Sequence, residues 1–262
     1  MRLRTMIAIR AHAQAEYPRE CCGLVVMKGR TETYYPCKNT ATGTEHFVLS
    51  PEDYAAAEEA GRITAVIHSH PDCEPAPSAA DRVACEASGL PWFIVGVEPG
   101  EDGEPVAGEI RGFVPEGYAA PLIGRPFAHG VLDCYTLVRD WYKRERGIVL
   151  PDFRRDDDWW DRGDNLYLKH YEEAGFRPLA AGESLEPGDV ILMQIRSPKD
   201  PNHAGVYIGT QALKEAPDLH PVPDAMLHHL YGQHSERVVY GGYWQEATRM
   251  ALRYIGSPTQ GG

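Results

Sequence analysis

The sequence predicts an α+β protein of two domains, and three observations lead to this prediction. From the N-terminus to about Pro115, short apolar runs typical of strands alternate with helical patterns. The stretch Pro115–Pro126 then holds three Pro and two Gly without a clear period, which indicates an interdomain connector. Beyond it, a new amphipathic helix and further strand patterns begin. We therefore expect one domain at 1–115, a linker at 116–126 and a second domain at 127–262.

Turn residues and helix ends define the elements of the first domain. Ser50 and Gly61 are typical helix ends, and Ser78 and Gly89 stand in the same relation to the next helix. The strand between them is a run of β-branched and apolar residues. In chain order we expect a helix at 7–16, a hairpin turn at 28–30, a helix at 51–60, a strand at 63–67, a helix at 79–88, a strand at 92–97, a turn-rich acidic loop at 98–105 and a last strand at 109–114.

Composition excludes several classes of protein. The chain has 262 residues, of which 43% are apolar, and no run of 18 apolar residues, so no membrane anchor is expected. The N-terminus lacks the apolar region of a signal peptide. A formal net charge of −12 argues against binding of nucleic acid and favours either solubility or a basic partner. Six unevenly spaced Cys do not form a disulfide framework, so we expect reduced thiols.

Two His and one Asp in the first domain form a candidate metal site. His68 and His70 follow the predicted strand with one residue between them, so their rings point to the same face. Asp81 arrives from the first turn of the next helix and supplies a third ligand. Three protein ligands leave one tetrahedral position open for water, which is the arrangement of a catalytic zinc site.

The same residues have simpler interpretations. Ser78 and Asp81 form an S-x-x-D helix start, with Ser78 as N-cap and Asp81 favoured by the helix dipole, and this explains both residues without any metal. An isolated pair of His is usually a pair of ordinary polar residues. The longer string therefore has to decide between the two interpretations.

The string from His68 to Asp81 resembles the JAMM motif of the Mov34/MPN metallopeptidases. The matching pattern is His-Ser-His-Pro, seven residues, Ser, two residues and Asp, and Glu20 lies upstream where that family places its base. The resemblance implies an α/β, cytidine-deaminase-like domain that binds Zn²⁺ through His68, His70 and Asp81. It also implies that Glu20 transfers the proton of the attacking water and that Ser78 donates to the oxyanion.

The second domain contains a candidate thiol site. Asp133 is a typical N-cap, so Cys134 lies in the first turn of a helix, where the helix dipole stabilises a thiolate. His203 opens an apolar strand that runs to Gly209, and the pair His228 and His229 follows on the next strand-like segment. A Cys at a helix start with a His on a strand is the papain-like geometry. A further helix is expected at 166–174, closed by Gly at 175.

These pieces resemble the NlpC family of cysteine peptidases, which cleave the peptide stems of bacterial cell wall. The matching segments are Asp133-Cys134, the run 185–192 with its Leu-x-Pro-Gly-Asp pattern, and His203–Gly209. The family usually has two small residues after the Cys, whereas Tyr and Thr follow here. The resemblance implies a papain-like α+β domain with catalytic Cys134 and His203. It also implies a third catalytic residue, for which we choose His228 over His229 on the family's strand pattern.

A JAMM-like domain followed by an NlpC-like domain resembles the tail assembly protein K family of long-tailed bacteriophages, over nearly the whole chain. This implies peptidoglycan stem peptides and other phage tail-tip proteins as partners. It also implies a location in the cytoplasm of the bacterial host during tail assembly and at the tail tip of the virion afterwards. The alternative is a structural module of the tail tip that keeps both sites without using them.

Overall fold

The computed structural model describes residues 1–44, 46–196 and 200–256. The chain divides into two compact units, Met1–Ala119 and Ala120–Gly262, and the boundary between them falls inside the predicted linker at 116–126. Within the described residues, no helix has both the length and the apolar character that crossing a membrane requires.

The first unit is a mixed sheet with helices on both faces. Its strands lie in the order β2-β1-β3-β4-β5, and β3 and β4 are parallel while the other neighbours are antiparallel. The connection between the two parallel strands is a helix, as such a crossover requires. The elements are α1 (Leu3–Glu16), β1 (Cys22–Lys28), β2 (Thr31–Cys37), α2 (Pro51–Ala60), β3 (Arg62–Pro71), α3 (Ala79–Ser88), β4 (Trp92–Pro99) and β5 (Pro105–Phe113).

The central strand β3 divides its side chains between two apolar cores. Ala65 and Ile67 pack on the face that α1 covers, together with Ile9 of that helix. Val66 points to the opposite face and joins a core with Cys85 of α3. Because strand side chains alternate, the odd and even positions that follow keep these two directions. The even positions at the end of β3 therefore face the side of the sheet on which α3 lies.

Most predicted elements of the first unit are present, and two begin earlier than expected. Helix α1 begins at Leu3 because tertiary contacts support its first turn, including hydrogen bonds from Arg2 and Arg4 to the backbone of β2 and its turn. Strand β5 begins at Pro105, since its first residues pair with the end of β4 and so shorten the acidic loop. Neither contact has a local sequence signal.

The second unit packs a helix against an antiparallel sheet with strand order β10-β9-β8-β7-β11-β6. A π-helical turn at Tyr142–Arg146 directly follows the first helix of this second unit. The elements are α4 (Cys134–Trp141), α5 (Trp159–Arg162), α6 (Leu166–His170), β6 (Phe176–Pro178), β7 (Val190–Met193), β8 (His203–Gly209), β9 (Ala225–His228), β10 (Glu236–Val239), α7 (Tyr243–Ala247) and β11 (Thr248–Tyr254).

Helix α4 is fixed to the sheet by its apolar face. Leu137, Val138 and Trp141 are buried and share a core with the inner residues of β7, β8 and β9. The helix predicted at 166–174 ends earlier, at His170, because a turn closing at Gly175 with a φ of +88° leads the chain into β6. The fold class predicted from the sequence, α+β, is confirmed, and the structure has a separate sheet in each unit.

Candidate metal and thiol sites

His68, His70 and Asp81 converge at the end of β3. Their ligand atoms all lie within 4.8 Å of one another. The two Nε2 atoms of the His residues are 3.1 Å apart, and the Asp81 carboxylate lies 3.2 Å from His68 and 3.4 Å from His70. The alternation of β3 places both imidazoles on the side of the sheet from which α3 presents Asp81.

The donor set fits a zinc ion. With bonds of about 2.1 Å, a tetrahedral Zn²⁺ holds its ligand atoms about 3.4 Å apart, and this is close to the three separations seen here. Nδ1 of His70 lies 3.2 Å from the carbonyl oxygen of Glu74. Since a carbonyl can only accept, Nδ1 carries a proton, so in the neutral form of His70 the lone pair on Nε2, the nitrogen that faces Asp81, is the one available to a metal ion.

The charges at this site also suit a cation. Burial pushes the pKa of Asp81 up, but hydrogen bonds with His68 and His70 outweigh burial and hold that pKa well below its usual range. Burial lowers the pKa of His68. Burial acts in the same direction on His70, but the hydrogen bond and charge of Asp81 leave the pKa of His70 raised. The site therefore offers an ionised carboxylate and at least one neutral imidazole.

Ser78 and Asp81 form the capping box at the start of α3. The hydroxyl of Ser78 accepts from the backbone N–H of Asp81 at 3.1 Å, and Oδ2 of Asp81 accepts from the backbone N–H of Ser78 at 2.8 Å. The helix-start interpretation and the metal-ligand interpretation are thus both compatible with one geometry, because the cap aims the Asp81 carboxylate at the two imidazoles.

Glu20 lies just before β1 and is fixed by its neighbours. Its carbonyl oxygen accepts from the side chain of Asn39, and the next residue, Cys21, donates its backbone N–H to the hydroxyl of Ser69 between the two His. Burial raises the pKa of Glu20 to about 8, with the charge of His70 opposing and that of Asp81 adding to this rise. A carboxyl group with such a pKa can accept and return a proton near neutral pH.

In the second unit, Cys134 is the first residue of α4 and Asp133 is its cap. One carboxylate oxygen of Asp133 accepts from the backbone N–H of Thr136 at 2.8 Å. The other accepts from Nε of Arg155 at 2.6 Å, and both side chains of this ion pair are almost completely buried. Burial pushes the pKa of Asp133 up, but Arg155 and the helix N–H outweigh it, so the pKa is lowered.

The thiol of Cys134 contacts strand β8 and helix α6. Sγ lies 3.1 Å from the hydroxyl of Tyr167. Burial and the charge of Asp133 raise the pKa of Cys134, and the Tyr167 hydroxyl and the backbone N–H of Ala204, next to His203, oppose that rise. The thiol is therefore held beside the strand that carries the predicted base.

His203 and His228 form a pair on neighbouring strands. Nε2 of His203 lies 3.1 Å from Nδ1 of His228, whereas His229 turns away and contacts the carbonyl oxygen of Gln233. The ring of Trp244 packs on that of His228 with 4.4 Å between centroids. Burial, with smaller effects of the neighbouring imidazoles, lowers the pKa of His203 to about 3, and burial lowers the pKa of His228 to about 4. Both imidazoles are neutral at pH 7.

Comparison with known proteins agrees with the division of the chain into two units. The family described as prokaryotic homologs of the JAB domain matches residues 3–107, and the NlpC/P60 family matches residues 124–253. The tail tip assembly protein K of Escherichia phage N15 is 45% identical over 257 residues, which cover 97% of this chain and 96% of that protein. The chain belongs to the tail tip assembly protein K family.

A second member of the K family, from Escherichia phage lambda, is 41% identical over 209 residues, or 79% of this chain and 89% of that protein. A solution structure of a protein from Desulfitobacterium hafniense is 24% identical and covers 44% of this chain and 88% of that chain, with a TM-score of 0.32. Such a weak likeness says nothing about function. The resemblance to the K family, based on the two motifs, is confirmed.

Two residues that contact the thiol site were not predicted from the sequence. Tyr167, on α6, reaches Cys134 from 33 positions away in the sequence, and Arg155 pairs with Asp133 from the loop before α5. Neither lies in a recognisable motif. The signal that could have drawn attention to Arg155 is its position among several Asp residues, since a buried N-cap carboxylate needs a cation or several N–H donors.

Proposed function

We propose that this member of the K family is a tail-tip peptidase with two hydrolytic sites. Cys134, with His203 and His228, cleaves the peptide stems of peptidoglycan. The second site, formed by His68, His70, Asp81, Glu20 and Ser78, uses Zn²⁺ to hydrolyse another amide or isopeptide bond. The observation that carries the proposal is the placement of Cys134 on the first turn of α4, which packs on β8, the strand that begins with His203, while His203 lies 3.1 Å from His228.

The thiol site has the groups that an acyl transfer needs. Nε2 of His203 is occupied by His228, so Nδ1 is the nitrogen left to take the proton of Cys134. Sγ then attacks the carbonyl carbon of the stem peptide, and the same imidazole returns the proton to the leaving amine. The first backbone N–H groups of α4 have no partners within the helix and can donate to the oxyanion. Water finally releases the acyl group.

At the candidate metal site, His68, His70 and Asp81 would hold Zn²⁺, which would supply Lewis-acid activation of water. Glu20 takes a proton and delivers it to the leaving amine, a role that fits its raised pKa of about 8. The hydroxyl of Ser78, at the start of α3, is exposed beside Asp81 and is a hydrogen-bond donor for the carbonyl oxygen of the substrate. Its position on the helix start keeps it fixed relative to the ligands.

The names of the relatives place those proteins in tail tip assembly, and we extend that role to this chain. Other tail-tip proteins are then its partners. We also propose that it acts in the cytoplasm of the host cell during assembly and at the virion tail tip afterwards. Cleavage of stem peptides there would open the cell wall for genome entry.

Digestion of purified stem peptides tests the thiol half. Wild-type protein should release shorter peptides that mass spectrometry detects, and Cys134→Ala should release none above background. Cys73→Ser is the matched control, because Cys73 is an exposed thiol of the first unit and its replacement should leave the release unchanged. Equal release by wild type and Cys134→Ala would refute the thiol chemistry and favour the structural role.

A further inference from the structure

The hydroxyl of Tyr167 lies next to the thiol of Cys134, the proposed nucleophile of the second unit. It is 3.1 Å from Sγ of Cys134, within the range of a hydrogen bond to sulfur. The ring is held between Trp159, with centroids 5.8 Å apart, and Tyr135, with centroids 6.3 Å apart. The side chain comes from α6, at the wall of an apolar crevice next to the start of α4. Its position is thus fixed by packing and not only by the contact with sulfur.

The surroundings of Cys134 make a hydrogen-bond donor valuable. Asp133 brings a negative charge and Arg155 a positive one, but these two are paired with each other. The imidazoles of His203 and His228 are neutral at pH 7, so no imidazolium is present beforehand to stabilise a thiolate. Among the described residues, the hydroxyl of Tyr167 is the side chain hydrogen-bonded to the sulfur, and the start of α4 and the nearby backbone of Ala204 also favour the ionised form.

The hydroxyl can act only as a donor when the sulfur is ionised. Burial, and after it the charge of the Cys134 sulfur, raise the pKa of Tyr167 well above its usual value. The phenol therefore keeps its proton at every pH at which the protein is folded. A thiolate has no proton to give. The contact at 3.1 Å then becomes O–H···S⁻, a charge-assisted hydrogen bond, which is stronger than a neutral one.

We propose that Tyr167 is a catalytic residue of the thiol site, whose hydroxyl donates the hydrogen bond that stabilises the Cys134 thiolate. The proton of Cys134 passes to Nδ1 of His203, and the phenol proton stays on Tyr167. As Sγ attacks the substrate and loses its charge, the same O–H is free to turn toward the developing oxyanion. The part of this inference that concerns hydrolysis rests on the proposed peptidase function, whereas the part that concerns the thiolate does not.

Alkylation of the full-length protein tests the thiolate directly. The rate of reaction of Cys134 with iodoacetamide is followed from pH 6 to pH 10 by peptide mass spectrometry, which separates this thiol from the other five. Tyr167→Phe keeps the ring between its two aromatic neighbours and removes only the hydroxyl. We expect the variant to raise the apparent pKa of Cys134 by about one unit, equivalent to about a tenfold slower reaction at pH 7.

Tyr171→Phe is the matched control. This residue lines the same crevice, but its hydroxyl donates to Glu172 and not to the thiol, so the profile of Cys134 should not move. A Tyr167→Phe profile that coincides with that of wild type would overturn the proposal. So would a faster reaction at every pH, since it would show that the hydroxyl shields the sulfur instead of stabilising its ionised form.

Hydrolysis of stem peptides separates this inference from the proposed function. If wild type cleaves them, Tyr167→Phe should lower kcat about 10- to 100-fold with little change in KM, because the hydrogen bond acts on the reacting atoms and not on substrate binding. If wild type does not cleave them but the alkylation profile still shifts, the peptidase function fails and the role of Tyr167 in stabilising the thiolate remains.

Discussion

The metal site and the thiol site differ in how the chain assembles them. His68, His70, Ser78 and Asp81 come from one strand and one helix start, and only Glu20 arrives from elsewhere, from the segment just before β1. The thiol site collects single residues from α4, α6, β8 and β9, which are distant in sequence. A short segment of the sequence thus specifies most of the metal site. The thiol site forms only when the whole second unit is folded.

The two sites also differ in the electrostatic surroundings of their imidazoles. An ionised Asp81 faces two imidazoles in the metal site and raises the pKa of His70. In the thiol site, burial keeps His203 and His228 neutral, and the nearest carboxylate to His228, that of Glu236, is 3.8 Å from Nε2. The first arrangement attracts a cation, and the second excludes charge until a proton is transferred.

The largest expected effect concerns metal content. Purified wild-type protein should contain about one zinc per chain by elemental analysis, and His70→Ala should contain essentially none, because three ligands become two. His203→Ala should keep the full content. The two imidazoles of the thiol site are as close as those of the metal site, but no carboxylate of the described residues joins them as Asp81 joins His68 and His70.

The matched control for the loss of metal is His234→Ala, which removes an exposed His of the second unit. A wild-type protein without stoichiometric zinc, together with an unchanged His70→Ala, would contradict the assignment of the metal site. Zinc lost from His203→Ala as well would erase the distinction between the two sites.

The next effect tests how the thiol site is held. Arg155→Met leaves the carboxylate of Asp133 buried without its cation, so we expect the free energy of unfolding of the second unit to fall by about 3 kcal/mol. Urea denaturation followed by Trp fluorescence measures this change. Four of the five Trp residues lie in the second unit: Trp141, Trp159, Trp160 and Trp244.

The neighbouring Arg154→Met is a close control for Arg155→Met. Its side chain is 70% exposed and pairs with Asp156 at the surface, so its loss should change the free energy of unfolding by less than about 0.5 kcal/mol. Equal effects of the two substitutions would show that the buried ion pair does not stabilise the start of α4.

The smallest effect per residue is a dependence of stability on pH. The pKa values of His203, His228 and His229 are lowered to about 3, about 4 and about 4, chiefly by burial. Unfolded imidazoles take up protons near pH 6.5, but these folded ones do not, so their stabilisation is complete above that pH and decreases on acidification. Each of these three imidazoles should lower the free energy of unfolding by about 2 kcal/mol between pH 6.5 and pH 5.

The variant His229→Gln isolates one of these contributions, because His229 lies outside the proposed catalytic pair. The slope of the free energy of unfolding against pH should be smaller than in wild type by about 1.4 kcal/mol per pH unit. Urea midpoints at pH 7, 6 and 5 measure it. Identical slopes in both proteins would mean that His229 titrates normally in the folded state.

The convergence of His68, His70 and Asp81 could be predicted from the sequence because it depends on local geometry. Two His on alternate positions of a strand must share a face, and an S-x-x-D start fixes where Asp81 points. The same holds for the ends of α2 and α3, which carry their own caps. The starts of α1 and β5 could not be predicted, since contacts with other strands determine them.

The thiol site was only partly predictable for the same physical reason. Cys134 follows an N-cap and His203 opens an apolar strand, and each of these signals is local. Selection of His228 over its neighbour depended on strand alternation, and the structure brings that residue to His203. Tyr167 reaches the thiol through the path of the chain between α4 and α6, and no short pattern encodes this path.

The capping box of α3 has a consequence for how tightly the candidate metal site would bind an ion. Asp81 is held by Ser78 through two hydrogen bonds before any ion arrives, and His70 is held by Glu74. The entropy of fixing these ligands is therefore lost during folding and not during binding. The first unit should behave as a preorganised chelator, whose affinity for zinc depends on the integrity of one helix start.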